Sequence, residues 1–322
     1  SLKNVKNIFL FVILIFLVND HSKYIEKQFE IILLASIPVA IFQFLTVSDQ
    51  DDVTGLFGPK SPSLYSFLAV AYVSSKAVHG GFTAVGWRWI LFLPVFLNET
   101  KITFIIFPVL IVFLLLSTGR LRVIHLILIC ATCLLGMALL NKIYLSLYGY
   151  EFMEVFTYDF LELYLFEYTD LHDDVPRFYR LAFAYDYISD GELYNYLFGY
   201  GFGAEYVGGA GERLGWVAKS LEYTKLNQGT RIQFFQFLID YGVLGSIIIV
   251  SALLYMLIVL FFSSSTYGNL MALSILFLMI ISLVYQSMFF TKQLSFILFY
   301  YVYMSLMGQF SSHKVNCRKV LL

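Results

Sequence analysis

The chain has little charge. Charged residues make up 13% of its 322 residues, whereas a soluble globular domain carries roughly 25%. Hydrophobic residues reach 59%, and this combination excludes a soluble protein. The 21 basic and 22 acidic residues nearly cancel, giving a net charge of −1. Since there is also no basic tract, nucleic acid is excluded as a partner.

Residues that bind metals or form disulfides are also scarce. Cys130 and Cys133 lie in an apolar run and Cys317 lies in the basic tail, so neither a disulfide framework nor a zinc site is indicated. No acidic pair or His cluster has a convincing metal-ligand spacing, and we expect neither a metal nor another cofactor. No internal repeat is visible, which counts against a transporter.

Apolar runs make up most of the chain. Nine of them approach the roughly 20 residues that cross a bilayer, and membrane lipids are therefore expected neighbours. We predict an all-α fold, a polytopic transmembrane helical bundle with one large extracytoplasmic loop that contains short helices. The predicted spans are residues 5–18, 30–47, 62–76, 83–97, 101–117, 122–146, 231–262, 269–289 and 293–310. The seventh is long and is expected to begin above the membrane.

One polar segment, residues 149–230, interrupts these runs and contains about 14 of the 22 acidic residues. It divides the chain into about six transmembrane helices (1–148), the loop itself, about three further transmembrane helices (231–310) and a tail (311–322). A scaffold has no need of such a segment, so any chemistry is expected there, at one face of the membrane.

Two helices are predicted inside this loop. Apolar residues between Phe152 and Phe166 recur near helical spacing among acidic residues, which indicates a helix along the membrane surface. Pro176 suits a first helical turn. A second helix is predicted from Arg177 to Ile188, ended by Ser189-Asp190-Gly191.

The basic residues of the short loops fix the orientation. If the spans alternate, four groups fall on one side, which the positive-inside rule places in the cytoplasm. Lys3 and Lys6 disagree, and spans missing upstream of Ser1 would remove the conflict. The four groups are Lys23 with Lys27, Lys76 with His79, Arg120 with Arg122, and Lys314, Arg318 and Lys319 of the tail.

Four groups of candidate functional residues then lie on the same, outer face of the membrane. A basic residue occurs in every group and glycines occur in three of the four, and such residues bind phosphate groups. The groups are Gly55 to Pro62; Asn98-Glu99-Thr100-Lys101; Arg177 and Arg180 with Gly199-Tyr200-Gly201-Phe202-Gly203; and Arg231 with Asp240 to Gly245.

In these residues the chain resembles the O-antigen ligase and O-antigen polymerase family of bacterial surface-polysaccharide enzymes. That family has a Gly-rich stretch before a span, a basic residue opening a later span, an Arg ahead of a GxG turn in a large outer loop, and a basic residue or His ahead of a GxxG turn. The matching residues are Gly55 to Pro62, Lys101, Arg177 with Gly199-Tyr200-Gly201, and Arg231 with Gly242-Val243-Leu244-Gly245.

The resemblance implies a metal-independent glycosyltransferase in the bacterial cytoplasmic (inner) membrane. Its donor and acceptor would be undecaprenyl-diphosphate-linked glycans, and a chain-length regulator protein is a possible partner. Family members have about twelve spans with cytoplasmic termini. A chain without the first three would start outside, as Lys3 and Lys6 require, and its large loop would follow the ninth span.

The chain departs from the family pattern at two places. Ligases of the family have His followed by Asn, Ser or Gln eleven residues before the GxxG turn, where this chain has Arg231-Ile232. The usual Ser-Arg is Thr100-Lys101, which keeps the charge but loses the planar guanidinium. Because the ligase His is missing, the resemblance favours a polymerase of O-antigen or capsule repeat units.

The expected roles follow from the leaving group. Negative charge grows on diphosphate oxygens, and fixed cations stabilise it near a low-dielectric interface; the catalytic candidates are Arg177, Arg231 and Lys101. The Gly turns would let backbone N–H groups approach a phosphate or sugar. The substrate-binding candidates are Arg180, Gly199, Gly201, Gly203, His172, Asp174 and Glu99, with His172, Asp173 and Asp174 nearest in sequence to Arg177 as a base.

Ordinary structural roles remain open for the same residues. Arg177 and Arg180 would flank an interfacial helix, Lys101 would be a snorkelling lysine, Arg231 would anchor a helix at the interface, and the glycines would only shape turns. Among other functions, a ligase of the same family or a flippase is the alternative. A flippase predicts ionisable residues in mid-span and broken helices.

Overall fold

The fold of the chain is helical. A computed structural model describes residues 22–46, 53, 55–57, 62–97, 102–149, 151, 153–154, 157–159, 162, 177–201, 233–263 and 266–285. The α-helices in these ranges are α1 (Ser22–Thr46), α2 (Pro62–Gly80), α3 (Phe82–Val85), α4 (Leu93–Leu97), α5 (Ile102–Ser117), α6 (Val123–Tyr148), α7 (Arg177–Ser189), α8 (Leu193–Phe198), α9 (Gln233–Phe262) and α10 (Tyr267–Tyr285). Two 3₁₀-helices occupy Gly55–Phe57 and Gly86–Phe92. None of the described residues forms a strand, so the predicted all-α class is confirmed for these ranges.

Among the described residues, three helices are long and apolar enough to cross a membrane: Phe29–Thr46 of α1, Val123–Ser146 of α6 and all of α9. Shorter apolar helical segments are Phe82–Leu97, Ile102–Ser117 and Tyr267–Leu283. Helices therefore occupy seven of the nine predicted spans, although α2 is not among these apolar segments. The predicted spans 5–18 and 293–310 lie outside the described residues. The number of crossings stays a prediction.

The predicted span 83–97 is not one continuous α-helix. It consists of α3, a 3₁₀-helix and α4 in succession. Gly86 has φ 54°, which ends the first short helix, because a regular α-helix needs negative φ. Pro94 has no backbone N–H to donate to the preceding turn. The prediction was wrong here because apolar composition alone does not reveal the positive φ of Gly86 or the missing N–H donor of Pro94.

The described residues fall into two compact units. The first contains the residues up to Arg122 together with Met256–Leu278, and the second contains Val123–Tyr255 and the rest of α10. In the first unit, α2 forms the core, with every residue from Leu64 to Ser75 buried. Ser75 Oγ lies 2.8 Å from Ser274 Oγ of α10. Small polar residues of this kind let membrane helices approach closely.

In the second unit, α9 is broken at Gly242, whose backbone is non-helical (φ 66°, ψ −171°). The break leaves a first arm, residues 233–241, and a second arm, residues 243–262. Twenty residues at 1.5 Å each give the second arm a length of about 30 Å, the thickness of a bilayer core. The first arm is therefore surplus to a crossing.

The two arms also differ in their environment. Phe237, Leu238 and Ile239 of the first arm are buried. Ile247 and Ile248 of the second arm are more than half exposed, as expected for side chains that face lipid. This difference supports the expectation that the seventh predicted span begins above the membrane.

The predicted orientation is testable by labelling. A cysteine introduced at Ser220, in the predicted loop, should react with a membrane-impermeant reagent on intact cells, because the positive-inside rule places the loop outside. A cysteine introduced at Ser312, in the predicted cytoplasmic tail, serves as the control and should react only after the membrane is opened. The reverse pattern would invert the topology.

Candidate functional site

The predicted second loop helix is confirmed as α7, which begins at Arg177 and ends at Ser189. Its apolar face carries Ala184 and Ile188, four residues apart and both fully buried. Residues at this spacing lie on the same side of a helix. Asp186 on another side is exposed. The helix therefore forms because one face has a partner to pack against.

That partner is the first arm of α9. Ala184 and Ile188 form one buried cluster with Phe235, Leu238 and Ile239. Full burial of a large aliphatic or aromatic side chain contributes about 1.5–3 kcal/mol. The cluster holds the loop helix that starts at Arg177 on the helix that follows the loop.

The GxG turn lies directly after α8. The N–H of Gly199 donates to the carbonyl of Asn195 (2.8 Å) and closes that helix. Gly199 (φ 72°) and Gly201 (φ 95°) both have positive φ, a region that residues with a Cβ rarely enter. The backbone of the turn therefore favours glycine at both positions.

This turn crosses the break in α9. The N–H of Tyr200 donates to the carbonyl of Ile239 (2.8 Å), and the N–H of Gly201 donates to the carbonyl of Asp240 (3.0 Å). In a regular helix those two carbonyls would accept hydrogen bonds from the N–H groups of Val243 and Leu244. The break at Gly242 therefore coincides with hydrogen bonds from the loop to the helix.

Gly199 and Gly242 meet backbone to backbone. A Cβ on Gly199 would lie 2.5 Å from the backbone N of Gly242, and a Cβ on Gly242 would lie 2.5 Å from the backbone N of Gly199. Both distances are too short for a side chain, and the atoms involved are backbone atoms that cannot rotate away. We call the contact between residues 197–201 and 239–242 the glycine crossing.

The glycine crossing changes the interpretation of the turn. The N–H groups of Gly199, Tyr200 and Gly201 all donate to carbonyls of the protein, so the expected use of these N–H groups for a phosphate finds no support. The two glycines are explained by the close approach of two backbones. Their role in substrate binding stays a prediction.

The side chain of Tyr200 connects the turn to α7. Its ring lies 5.2 Å from the ring of Tyr187, and its hydroxyl donates to the carbonyl of Tyr187 at 3.5 Å. Partial burial is the main cause that raises the pKa of Tyr200, and electrostatic interactions with Tyr187 and Asp190 raise it further. The phenol is therefore protonated at neutral pH and is unsuited to act as a base.

The first arm of α9 carries a polar stripe beside its apolar face. Gln233, Gln236 and Asp240 are spaced three and four residues apart, which aligns them along one side of the helix. Gln233 is fully buried and Asp240 is 5% exposed. Gln233 Nε2 donates to Gln236 Oε1 at 3.1 Å. Gln236 is only partly buried, and all three side chains have interaction partners, which offset the cost of burying polar groups.

Several predicted site residues lie outside the described residues. For Arg177 and Arg180 the structure describes the helical backbone of α7 and not the side chains. Of the predicted site residues, the structure places Gly199 and Gly201 against α9 at its break, next to Gly242. The residues outside are Lys101, Glu99, His172, Asp174, Gly203 and Arg231.

One charged network was missed by the sequence reasoning. Arg88 had no assigned role, yet its Nε lies 2.7 Å from Glu30 Oε1 in an ion pair. Arg88 Nη2 donates to Glu30 Oε2 (3.3 Å), and the Tyr72 hydroxyl donates to the same oxygen (2.6 Å). The available signal was Glu30 itself, an acid at the edge of an apolar span, where a partner is needed.

Removing one member of this network should destabilise the first unit. Arg88→Met leaves the carboxylate of Glu30 without its ion pair. We expect a loss of about 1–3 kcal/mol, between the values for exposed and buried pairs, because both side chains are partly exposed. The measurement is the thermal unfolding midpoint in detergent.

The double variant Glu30→Gln/Arg88→Met should recover part of this stability, since no unpaired charge remains. Lys142→Met, at an exposed position of α6, is the control and should behave as wild type. An Arg88→Met variant as stable as wild type would contradict a role for the ion pair in packing.

No group of three or more His, Cys, Asp or Glu side chains able to hold a metal occurs in the part of the chain that the structure describes. The absence of a metal or cofactor remains a prediction. Searches for similar proteins find no matching family model, no matching curated protein and no matching solved structure. The assignment of function therefore depends on the sequence motifs and on the glycine crossing.

Proposed function

We propose that the protein is a membrane glycosyltransferase that polymerises polyprenyl-diphosphate-linked oligosaccharide repeat units of an O-antigen or capsule. The reaction would occur at the outer face of the cytoplasmic membrane. The observation that supports this most is the glycine crossing. Two of the motifs that carry the resemblance, about 40 residues apart in the sequence, lie in backbone contact there.

The position of the crossing fits such a site. It lies between the apolar second arm of α9 and the buried first arm, and α7 packs on that first arm. Arg177 begins α7 and Arg231 precedes α9 by two residues. In the sequence, two predicted cations therefore lie at the start of α7 and just before α9, the two helices that pack together.

The reaction needs cations and a base. The acceptor hydroxyl attacks the anomeric carbon of the donor glycan, the bond from that carbon to the phosphate oxygen breaks, and the diphosphate leaves with the electron pair. Arg177, Arg231 and Lys101 would stabilise the developing charge, and an arginine binds phosphate with two donors at once. The hydroxyl proton must pass to a base.

A polymerase is favoured over a ligase because of Arg231. A guanidinium stays protonated in proteins and cannot replace the ligase His as a base, but it suits a second anionic lipid-linked substrate. A strain without the protein should accumulate a single lipid-linked repeat unit and make no long chains. A strain that still makes full-length polymer on its carrier, without attaching it to the final anchor, would indicate a ligase.

A flippase remains the second candidate, because two observations favour it more than the sequence did. The segment 82–97 is a broken helix, and the Glu30–Arg88 ion pair lies among membrane helices. Glu30, however, is the second residue of the apolar segment that starts at Phe29. The ion pair therefore lies at the end of the apolar segment of α1 and not in its middle, which suits a structural contact better than a transport path.

A further inference from the structure

The short helix α8 has an exposed apolar side. Leu193 is 74% exposed, Tyr194 is 66% exposed and Phe198 is 50% exposed. The rings of Tyr194 and Phe198 lie 5.2 Å apart. Because each residue turns an α-helix by about 100°, these three side chains fall within one half of the helix, whereas Asn195 falls in the other half. Neighbouring apolar side chains with this exposure mark a surface that contacts a membrane or a partner.

The position of α8 is fixed at the break in α9. The helix ends at Phe198, and the next residue, Gly199, meets Gly242 backbone to backbone. On a different side of α8, Tyr196 packs against the buried cluster that α7 forms with the first arm of α9. Val243, the first residue of the second arm, packs against the same cluster. The helix α8 therefore lies beside the start of the second arm.

The start of the second arm marks the level of the membrane surface. The arm has the length of a bilayer core, about 30 Å, so the break at Gly242 falls at one boundary of the hydrocarbon region. Leu244 is already 41% exposed, and Ile247 is 57% exposed. Exposed apolar surface thus begins within one turn of the break. A helix fixed beside the break therefore lies at the depth of the lipid headgroups.

We propose that α8 inserts Leu193, Tyr194 and Phe198 among the lipid headgroups and anchors the loop to the bilayer surface. Aromatic side chains suit this depth, since the ring contacts acyl chains while a tyrosine hydroxyl stays hydrated. The inference goes beyond the proposed function and does not depend on the polymerase reaction.

A lipid surface suits this patch better than a protein partner does. The patch is one side of a helix of six residues, whereas a stable protein interface uses roughly 20–30 residues on each side. A bilayer needs no matching shape, and it is already the neighbour of the second arm. An apolar helix face at this level is buried about 5–10 Å into the boundary between headgroups and acyl chains.

The test measures the depth of spin labels on the full-length protein in lipid vesicles. The labels are attached to Tyr194→Cys and, separately, to Phe198→Cys, in a chain that also carries Cys130→Ala, Cys133→Ala and Cys317→Ser. Collisions with oxygen, which concentrates in the bilayer, are compared with collisions with a water-soluble nickel chelate. Both labels should collide preferentially with oxygen, at a depth of about 5–10 Å.

Two further positions serve as references, and both have exposed side chains. A label on Ile247→Cys, in the second arm, should also prefer oxygen. A label on Asp186→Cys, at an exposed polar position of α7, is the matched control and should prefer nickel. If the Ile247→Cys label prefers nickel, the break does not mark the membrane surface and the proposal is overturned.

Two other results would overturn the anchor as well. Preference for nickel at positions 194 and 198 would place α8 in water. Labels that neither reagent reaches would show that protein covers the patch, either a second copy or another part of this chain. The measurement uses no glycan. A failed anchor therefore leaves the proposed polymerisation standing, and a protein that forms no polymer leaves the anchor standing.

Discussion

We expect the Arg177→Ala variant to make no long polymer while it remains in the membrane. The guanidinium at the start of α7 is the predicted partner of the leaving diphosphate, and loss of one donor to a developing anion typically lowers the rate by about 10²- to 10³-fold. Arg177→Lys should recover only part of the activity, because a lysine lacks the planar pair of donors. The measurement is the chain-length distribution of the polysaccharide on a gel.

A matched change elsewhere shows whether the effect is specific. Arg122→Ala removes an exposed guanidinium from the other unit and should leave the chain lengths unchanged. Equal amounts of each variant in the membrane fraction are required for the comparison. A wild-type distribution from Arg177→Ala would remove Arg177 from the proposed site.

The second large effect is expected at the glycine crossing. Gly242→Ala places a Cβ 2.5 Å from the backbone N of Gly199 and 2.6 Å from the carbonyl oxygen of Leu197, at a residue with φ 66°. Positive φ costs roughly 1–2 kcal/mol for a residue with a Cβ, and the two hydrogen bonds of the crossing contribute about 0.5–1.5 kcal/mol each. The turn should therefore separate from α9, with a loss of about 2–5 kcal/mol.

Hydrogen exchange measures this separation directly. The amides of Tyr200 and Gly201, which donate to α9, should lose protection by a factor of about 30 or more in Gly242→Ala, and polymer formation should fall with it. Gly199→Ala should have the same effect, because the clash is reciprocal.

Two further glycines serve as controls for that experiment. Gly136→Ala in α6 meets no atom within 4 Å and should leave exchange at the crossing unchanged. Gly201→Ala also meets no atom within 4 Å but has φ 95°, so it isolates backbone strain from the clash and should have the smaller effect. Unchanged protection of Tyr200 and Gly201 in Gly242→Ala would contradict the crossing.

The sequence allowed prediction of the elements that local patterns determine. The helix α7 was predicted from Pro176 just before it and from the Ser189-Asp190-Gly191 ending, and it was observed within one residue. Long apolar runs likewise predicted the helices α6 and α9. These features depend on neighbours in the sequence, which the sequence displays directly.

Contacts between distant residues could not be predicted in the same way. The glycines of both motifs were recognised, but nothing in either motif shows that Gly199 and Gly242 touch each other. The ion pair between Glu30 and Arg88 joins residues 58 positions apart and was missed for the same reason. The broken segment around Gly86 was missed because the short 3₁₀-helix depends on local backbone angles that apolar composition does not reveal.

Polymerisation by the purified protein is the most direct test of the central claim. The full-length chain is reconstituted into vesicles with a polyprenyl-diphosphate-linked repeat unit as the only glycan, and the products are separated by size. We predict a ladder of longer glycans, each still attached to polyprenyl diphosphate, together with release of free polyprenyl diphosphate. A repeat unit that stays a single unit, whether it remains in place or moves across the membrane, would contradict the account.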